Sequence, residues 1–543
     1  MAVRAAFKAS TDSRKAAAAL AGAAAGLFVF LLYLATLAPG VLYYERPSLL
    51  DPVMLQTQAY SLGITHPTGY PTWVMVTHLF TQLPFGSPAY WANLASAVWA
   101  TAAVILVYLI CLRLLRRIVP AASAAIAFGV GQTFWEQAVI AEVYTMNALF
   151  VAALIYTLLI WRDARHDRYL LLAAFLMGLT LTHHLTSGLL LPAGLLFVWL
   201  VDRGKLRDWR LALKGAGLFC LALTPYLYLP VRASMRPELM EDDPSASFTR
   251  FWEFASGTKL TSTIVSLRPG SIASEVVLYA EYLSSNFPFA LVLLGAIGLG
   301  AMFARDRAVA IMTVFLFAGW FGYALIYNIH NIYIYFIPTY LLIAVWISFG
   351  IVALFDAAGA LASRFPSDFS GGFYKTATLL ISAVVLLLPL AGAAGAYASV
   401  DRGEDTEGRQ TIETVAEEAE PGSTIIHHRS ALWYMVVVEE RRRDLTLVDP
   451  FYPVWNEHHD TVWPGYVTPG EGDARYGTDD YSGVEAARIA AEDGPVYILD
   501  HEEFFDAEEF RRAGFEVVEA GEGLYRLHAP EPAPTGSAPW NRG

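Results

Sequence analysis

Three things are scarce in this 543-residue chain, and each scarcity excludes something. Charge comes first. Only 16% of residues are Asp, Glu, Lys or Arg, against 55% hydrophobic, where an ordinary soluble domain carries roughly 25% charged residues. A wholly water-soluble fold is thereby excluded. Cysteine is next: Cys111 and Cys220 are the only two, both in apolar segments. A disulfide framework is excluded, and both read as small buried hydrophobes. Positive charge is the third. The formal net charge is -13, and the acidic residues crowd after Asp401, which argues against a nucleic-acid partner. No HExxH pattern, DxD pair or regularly spaced third ligand occurs, so no metal site is expected.

Apolar runs are what the chain has in abundance. The first, from Ala16 to Leu37, follows Arg4, Lys8, Arg14 and Lys15 and lacks a cleavage site before Pro39. At about 20 residues it is long enough to span a bilayer as a retained first helix. Further runs near 88–114, 120–136, 138–161, 169–183, 186–201, 210–230, 286–304, 308–327, 333–355 and 375–398 bring the expectation to about eleven spans. Sidedness follows from the basic residues. Alternate loops hold Arg113, Arg116 and Arg117; Arg162, Arg165 and Arg168; Arg203, Lys205, Arg207 and Arg210; then Arg305 and Arg307. Those loops are expected in the cytoplasm, with loops 40–87 and 231–285 outside. The fold class is thus a polytopic α-helical membrane protein, multi-pass in the plasma (cell) membrane, with the lipid bilayer as its first partner.

The organisation expected is a cytoplasmic tail 1–15, a membrane domain 16–398, a soluble extracytoplasmic α/β domain 399–529 and a disordered tail 530–543. In the soluble part, β-rich runs fall at Ser423–His428, Leu445–Asp449, Pro495–Asp500 and Phe515–Glu519. Helical patterns at Gly483–Glu492 and Ala507–Ala513 lie between them.

The first outside loop carries the most chemistry. Asp51-Pro52 has the form of a helix start. Leu55, Ala59 and Leu62 share a face, and Gly63 suits the stop. A second short helix begins after Pro71, and both read as interfacial helices on the outer surface. Asp51 supports two readings, a helix cap and a general base at the membrane–water boundary. His66-Pro67-Thr68-Gly69-Tyr70-Pro71 is a rigid turn in which His66 and Tyr70 are candidate substrate contacts. Trp135, Glu136, Glu142 and Tyr144 flank the second outside turn, and carboxylates at membrane depth are costly enough to be functional candidates. His183 and His184 end the fifth span. Arg232 and Arg236 follow the seventh, where guanidinium groups suit either a lipid-linked phosphate or ordinary headgroups. Asn328, His330, Asn331 and Tyr333 close the outside rim.

Five blocks together resemble a known family: Asp51 with His66 to Pro71, Thr133 to Asn147, Leu179 to His184, Tyr228 to Arg232, and Tyr335 to Tyr340. In this order they are similar to the protein O-mannosyltransferase-like membrane family of the GT-C glycosyltransferases, over roughly residues 20–350. The resemblance implies a GT-C-like fold and a polyprenyl-phosphate sugar donor, with mannose the candidate sugar. It also implies Asp51 as base, Arg232 as donor-phosphate contact and Tyr335 near the substrate. The family pattern here is Gly-Asp-Ser-Gly-Glu, whereas this chain reads Leu50-Asp51-Pro52-Val53-Met54. Met54 replaces the second acid. One carboxylate suffices, or Glu45, Glu136 or Glu142 supplies the other, or activity is lost.

The function expected is an inverting glycosyltransferase with a protein or envelope-glycan acceptor at the outer membrane face. No cofactor is required on this reading, and a divalent metal stays open. A transporter or flippase of lipid-linked substrates and an inactive scaffold are the rivals. Transporters place polar groups at the bilayer midplane, whereas here they gather at one face.

Overall fold

The computed structural model describes residues 2–43, 50–240, 243–258, 272–327, 329, 331–449, 466–467, 483–500 and 506–529. Glu45, Asn328, His330 and the expected tail beyond 530 lie outside them. Two compact units emerge: residues 1–39, 67–229 and 252–404 form one, and residues 40–66, 230–251 and 405–543 the other.

The first unit is helical. Among the described residues seven helices are long and apolar enough to cross a membrane, and two bent pairs raise that to nine. The two remaining expected runs are Asp167–Leu181 and the shorter apolar helix Leu185–Val201. The bends have local causes. Ile118–Gly129 and Gln132–Ala138 meet at 66°, where Gly131 precedes the second helix and the Thr133 N–H donates to Asn286 Oδ1 at 3.0 Å. Ile272–Asn286 and Phe289–Arg305 meet at 109° around Pro288, since proline cannot continue the helix hydrogen-bond ladder.

Close packing in this unit rests on glycine. A Cβ on Gly298 would overlap the Trp346 carbonyl oxygen, and one on Gly350 the Leu294 carbonyl oxygen. Helices Phe289–Arg305 and Ile337–Ala362 therefore touch backbone to backbone, as small residues permit between membrane helices. The expected inside loops gather at one end of the unit through ion pairs: Arg113 with Asp163 at 2.9 Å, Arg117 with Asp356 at 3.3 Å, and Arg162 with Asp306. Cys111 is buried as expected, but Cys220 is exposed on the helix Trp209–Ala222, a helix whose side chains are mostly outward.

The second unit is built on a sheet. Strands β1 (Thr424–Ile426), β2 (Thr446–Val448), β3 (Tyr466–Val467), β4 (Val496–Leu499), β5 (Glu516–Gly521) and β6 (Leu524–His528) lie in the order β3-β2-β1-β4-β6-β5. β1 pairs in parallel with both β2 and β4, while β5 and β6 form an antiparallel hairpin. Strands β1, β2 and β4 are short continuous apolar runs because both faces are covered. Ile426, Val448 and Ile498 pack on Ala486, Ala487 and Ala490 of the helix Gly483–Ala490 and on Phe510. Strand β6 and the helices Glu407–Glu418 and Leu432–Val437 were not expected from periodicity.

The helix Leu50–Ser61 belongs to this second unit, and its surroundings correct the interfacial reading. Val53, Met54, Leu55, Gln56, Thr57, Gln58 and Ala59 are all buried, which leaves no face for lipid headgroups. Its glutamines are satisfied internally, Gln56 donating to the Gly40 carbonyl and Gln58 to that of Ile64, each at 3.2 Å. The helix stops one residue before the expected glycine. Leu62 takes the left-handed conformation (φ 54), and the Gly63 N–H returns to the Gln58 carbonyl at 2.8 Å, a Schellman ending. Gly63 is required for room, since a Cβ there would lie 2.5 Å from the Leu239 carbonyl oxygen.

Candidate functional site

Asp51 lies in the first turn of Leu50–Ser61, where a carboxylate is favoured by the helix dipole. Instead of capping that helix, it accepts a hydrogen bond through Oδ1 from Arg429 Nη1 at 2.8 Å. His66 Nδ1 stands 4.0 Å from the same oxygen. Among the described residues, no partner reaches Oδ2. Met54, three residues along the same helix, is buried, and as a methionine it offers Asp51 no second carboxylate.

Arg429 is held from behind. Its backbone has φ 37, left-handed for a non-glycine residue, and its N–H donates to Asp449 Oδ2 at 2.8 Å. The other Asp449 oxygen meets His428 Nδ1 at 2.9 Å, with both side chains buried. His427 is also buried; its Nδ1 is 2.9 Å from the Ser430 hydroxyl, and burial pushes its pKa down to about 4. Residues 427–430 follow β1 and Asp449 follows β2, so the cluster sits at the carboxyl ends of two adjacent parallel strands. From β1 the chain runs to β2 and β3 on one side and later to β4 on the other. In open α/β sheets such a switch in strand order is where ligand sites form.

Arg232 belongs to this unit as well. Its Nε donates to the Leu62 carbonyl at 2.7 Å and its Nη2 to that of Ser61 at 2.8 Å. One edge of the guanidinium thus closes the C-terminal end of the Asp51 helix, where cations are favoured. Nη1 points instead to Met235 Sδ, at 3.9 Å. Arg236 is exposed, with φ 53.

In the membrane unit the expected residues form a second cluster. A cavity of about 370 Å³ is lined by Tyr70, His184, Thr186, Tyr323, Tyr327 and Tyr335, with Pro67, Thr68 and small or apolar groups completing it. The His184 ring lies 6.1 Å from that of Tyr70, 5.6 Å from Tyr144 and 5.8 Å from Tyr335. Its Nδ1 is 2.7 Å from the Thr186 hydroxyl. Gly69 makes the turn into this wall: its φ is 84, and a Cβ would lie 2.6 Å from Leu229 and 2.8 Å from Phe254. Tyr70 then takes φ 37 and starts the helix Pro71–Thr81 where expected. A larger cavity of about 430 Å³ is lined almost wholly by apolar side chains; its Lys205 pairs with Asp167 at 2.6 Å.

The other expected residues do not line the aromatic cavity. His183 is buried, with Nε2 2.9 Å from the Val143 carbonyl. Glu142 is a structural junction: its carbonyl accepts from Trp73 and Ser96, and its Oε2 from the Val143 N–H at 3.0 Å. Glu136 is half-buried on the short helix Gln132–Ala138, and Asn331 precedes the turn Ile332–Phe336. The chain-order reading missed Arg429, Asp449, His428, Tyr323 and Tyr327. Arg429 and Asp449 had one available signal, polar residues directly after apolar strand-like runs. Among the described residues, no group of three or more His, Cys, Asp or Glu is placed to hold a metal ion.

Comparison with known proteins covers both levels of this description. Residues 51–207 match the family described as the Protein O-mannosyl-transferase TMEM260 N-terminal domain. That segment opens on Asp51 and includes Tyr70, Tyr144 and His184. It is narrower than the range over which the motifs resemble the family. Protein O-mannosyl-transferase TMEM260 of Mus musculus is 31% identical over 185 residues, covering 33% of this chain and 26% of the mouse protein. The chain thus matches about a quarter of the TMEM260 length. The ArnT crystal structures from Cupriavidus metallidurans cover far more, 94% of this chain and 97% of theirs, at 14% identity. The TM-score is 0.59 for apo ArnT and 0.56 for ArnT bound to undecaprenyl phosphate. The fold is therefore ArnT-like.

Proposed function

We propose that this protein is an integral-membrane glycosyltransferase that moves a sugar from a polyprenyl-phosphate donor to a hydroxyl on a protein or envelope glycan. Asp51 carries the reading. It opens the TMEM260-like segment, and one carboxylate oxygen is anchored by Arg429 while the other has no partner among the described residues. Such a group can take a proton without losing its anchor.

The acceptor oxygen attacks the anomeric carbon, the carbon–oxygen bond to phosphate breaks, and its electron pair leaves on the phosphate. The acceptor proton passes to Asp51 Oδ2, and configuration at the anomeric carbon inverts. Charge develops on the departing phosphate, so a nearby cation lowers the barrier. Arg232 is the proposed phosphate contact: its Nε and Nη2 are committed to carbonyls, and Nη1 is the edge left for an anion. Taken by itself, the aromatic cavity of the membrane unit has the lining of a carbohydrate subsite, tyrosine faces with polar edges such as His184 and Thr186. ArnT bound to undecaprenyl phosphate supports a polyprenyl-phosphate donor, and the TMEM260 relative supports mannose. A single base is sufficient for inversion, which accommodates Met54. Catalysis is assigned to the outer face of a plasma membrane, with the N-terminus inside, because the basic loops cluster at one end.

The test is transfer from labelled polyprenyl-phosphate sugars in proteoliposomes, wild type against Asp51→Asn. Wild-type transfer should fall by roughly 100- to 10,000-fold in the variant. Equal transfer would remove Asp51 as base. Absence of transfer across a broad donor panel would instead favour a lipid-substrate transporter or a scaffold.

A further inference from the structure

We infer that Arg429 is the positioning residue of this reaction, so that the α/β unit supplies part of the catalytic apparatus. The inference rests on the glycosyltransferase reading above, and extends it to a residue in a part of the chain that the TMEM260-like segment does not include.

Asp51 is on a short helix whose own backbone makes no bond to its carboxylate, and a side chain with two rotatable bonds needs an external anchor to face one direction. Arg429 supplies it, donating to Oδ1 at 2.8 Å. The Arg429 side chain is 13% exposed and that of Asp51 25%, so water screens this pair far less than a surface one. The anchor is itself fixed. Asp449 receives the Arg429 backbone N–H and is bridged to His428, all in buried surroundings. Arginine is thus presented at a set height over the strand ends. A single Nη1 contact leaves Oδ2 to accept the proton as the acceptor oxygen bonds to the anomeric carbon and the phosphate departs with the carbon–oxygen electrons. A displaced base loses about 100-fold in rate for 1 Å of error.

The experiment is steady-state transfer in proteoliposomes by the full chain, with wild type, Arg429→Gln, Arg429→Lys, Asp51→Asn and the Asp51→Asn/Arg429→Gln double variant. Expected is a kcat about 100-fold lower for Arg429→Gln, with the donor KM within about twofold and the melting profile unchanged. Arg429→Lys should recover at least about tenfold of that loss, because it keeps the charge but not the planar fork. In the double variant Arg429→Gln should add nothing to Asp51→Asn, since its effect runs only through that carboxylate. Wild-type kcat in Arg429→Gln overturns the inference. So does a raised donor KM at unchanged kcat, which makes Arg429 a donor contact, and so does an additive double variant. If Arg429→Gln fails to fold, Arg429→Lys decides: reduced kcat at constant KM supports, wild-type kcat overturns. A wild type that transfers nothing removes the function and this inference together, whereas an active wild type with an Asp51-dependent rate and an indifferent Arg429 removes only the inference.

Discussion

Acidification should loosen the loop that carries Arg429, through His427. This imidazole is buried, held at 2.9 Å to the Ser430 hydroxyl and edge-on to Trp433 at 5.2 Å. Burial drives its pKa from 6.5 down to about 4, against the opposing attraction of Asp449 and with the help of repulsion from His428. The folded protein therefore binds fewer protons here than the unfolded chain between those values, and stability rises with pH across that window. The contribution is complete above pH 6.5 and is lost as pH falls toward 4. At 1.36 kcal/mol per pH unit, the loss is about 2 kcal/mol at pH 5 and about 3 kcal/mol at pH 4. Hydrogen exchange of peptides spanning 424–437 in the full-length protein, corrected for intrinsic rates, reads it directly. Other acid-sensitive groups contribute too; Glu413, paired with Arg441 and Arg409, has its pKa lowered to about 2 and gives way at lower pH. His427→Asn keeps a hydrogen-bonding side chain without the titration, so the difference between wild type and variant isolates the histidine. Equal acid sensitivity in the two proteins would refute the argument, as would a wild-type loss confined to pH above 6.5.

Two further perturbations probe packing and the donor. Gly298→Ala places a methyl against the Trp346 carbonyl and should cost about 1–3 kcal/mol by separating Phe289–Arg305 from Ile337–Ala362. A lower melting temperature in detergent is expected, and an unchanged one would show that the crossing is looser than described. Arg232→Ala strips the Ser61 and Leu62 carbonyls of their donor, lowering stability by about 1–3 kcal/mol, and should also raise the donor KM. Lower stability at constant KM would leave Arg232 a helix cap and end its assignment to phosphate.

Local pattern explains what was legible. Apolar runs of span length are visible one segment at a time, because a helix in a bilayer must satisfy its backbone internally and cover itself in hydrocarbon. The arginine-rich loops are visible in the same way, and three of their arginines meet aspartates at one end of the membrane unit. In the second unit, β1, β2 and β4 and the helices Gly483–Ala490 and Ala507–Arg512 fall within the runs expected for them, and β5 overlaps its run but continues two residues beyond it to Gly521. Strand β6, Leu-Tyr-Arg-Leu-His from Leu524, escaped because Arg526 and His528 interrupt it and leave no continuous apolar signal, although it is paired on both sides, with β4 and β5.

The surroundings of Asp51 were a different kind of question. Its residue type and chain position marked it from the start, and so did those of Tyr70, His184 and Tyr335. That residues 52–59 of the Leu50–Ser61 helix are all buried was not visible, since Gln56, Thr57 and Gln58 read as polar until their partners are known. Nor was Arg429, which is 378 residues away in the chain from the carboxylate it holds. Sequence alone determined which segments enter a membrane and which residue types could do the chemistry, because both depend on short-range periodicity and intrinsic side-chain properties. Only the tertiary structure decided which groups meet. An ion pair between distant residues leaves no local periodicity, and it arises here because the carboxyl ends of β1 and β2 bring Arg429 and Asp449 together beside the first turn of another helix.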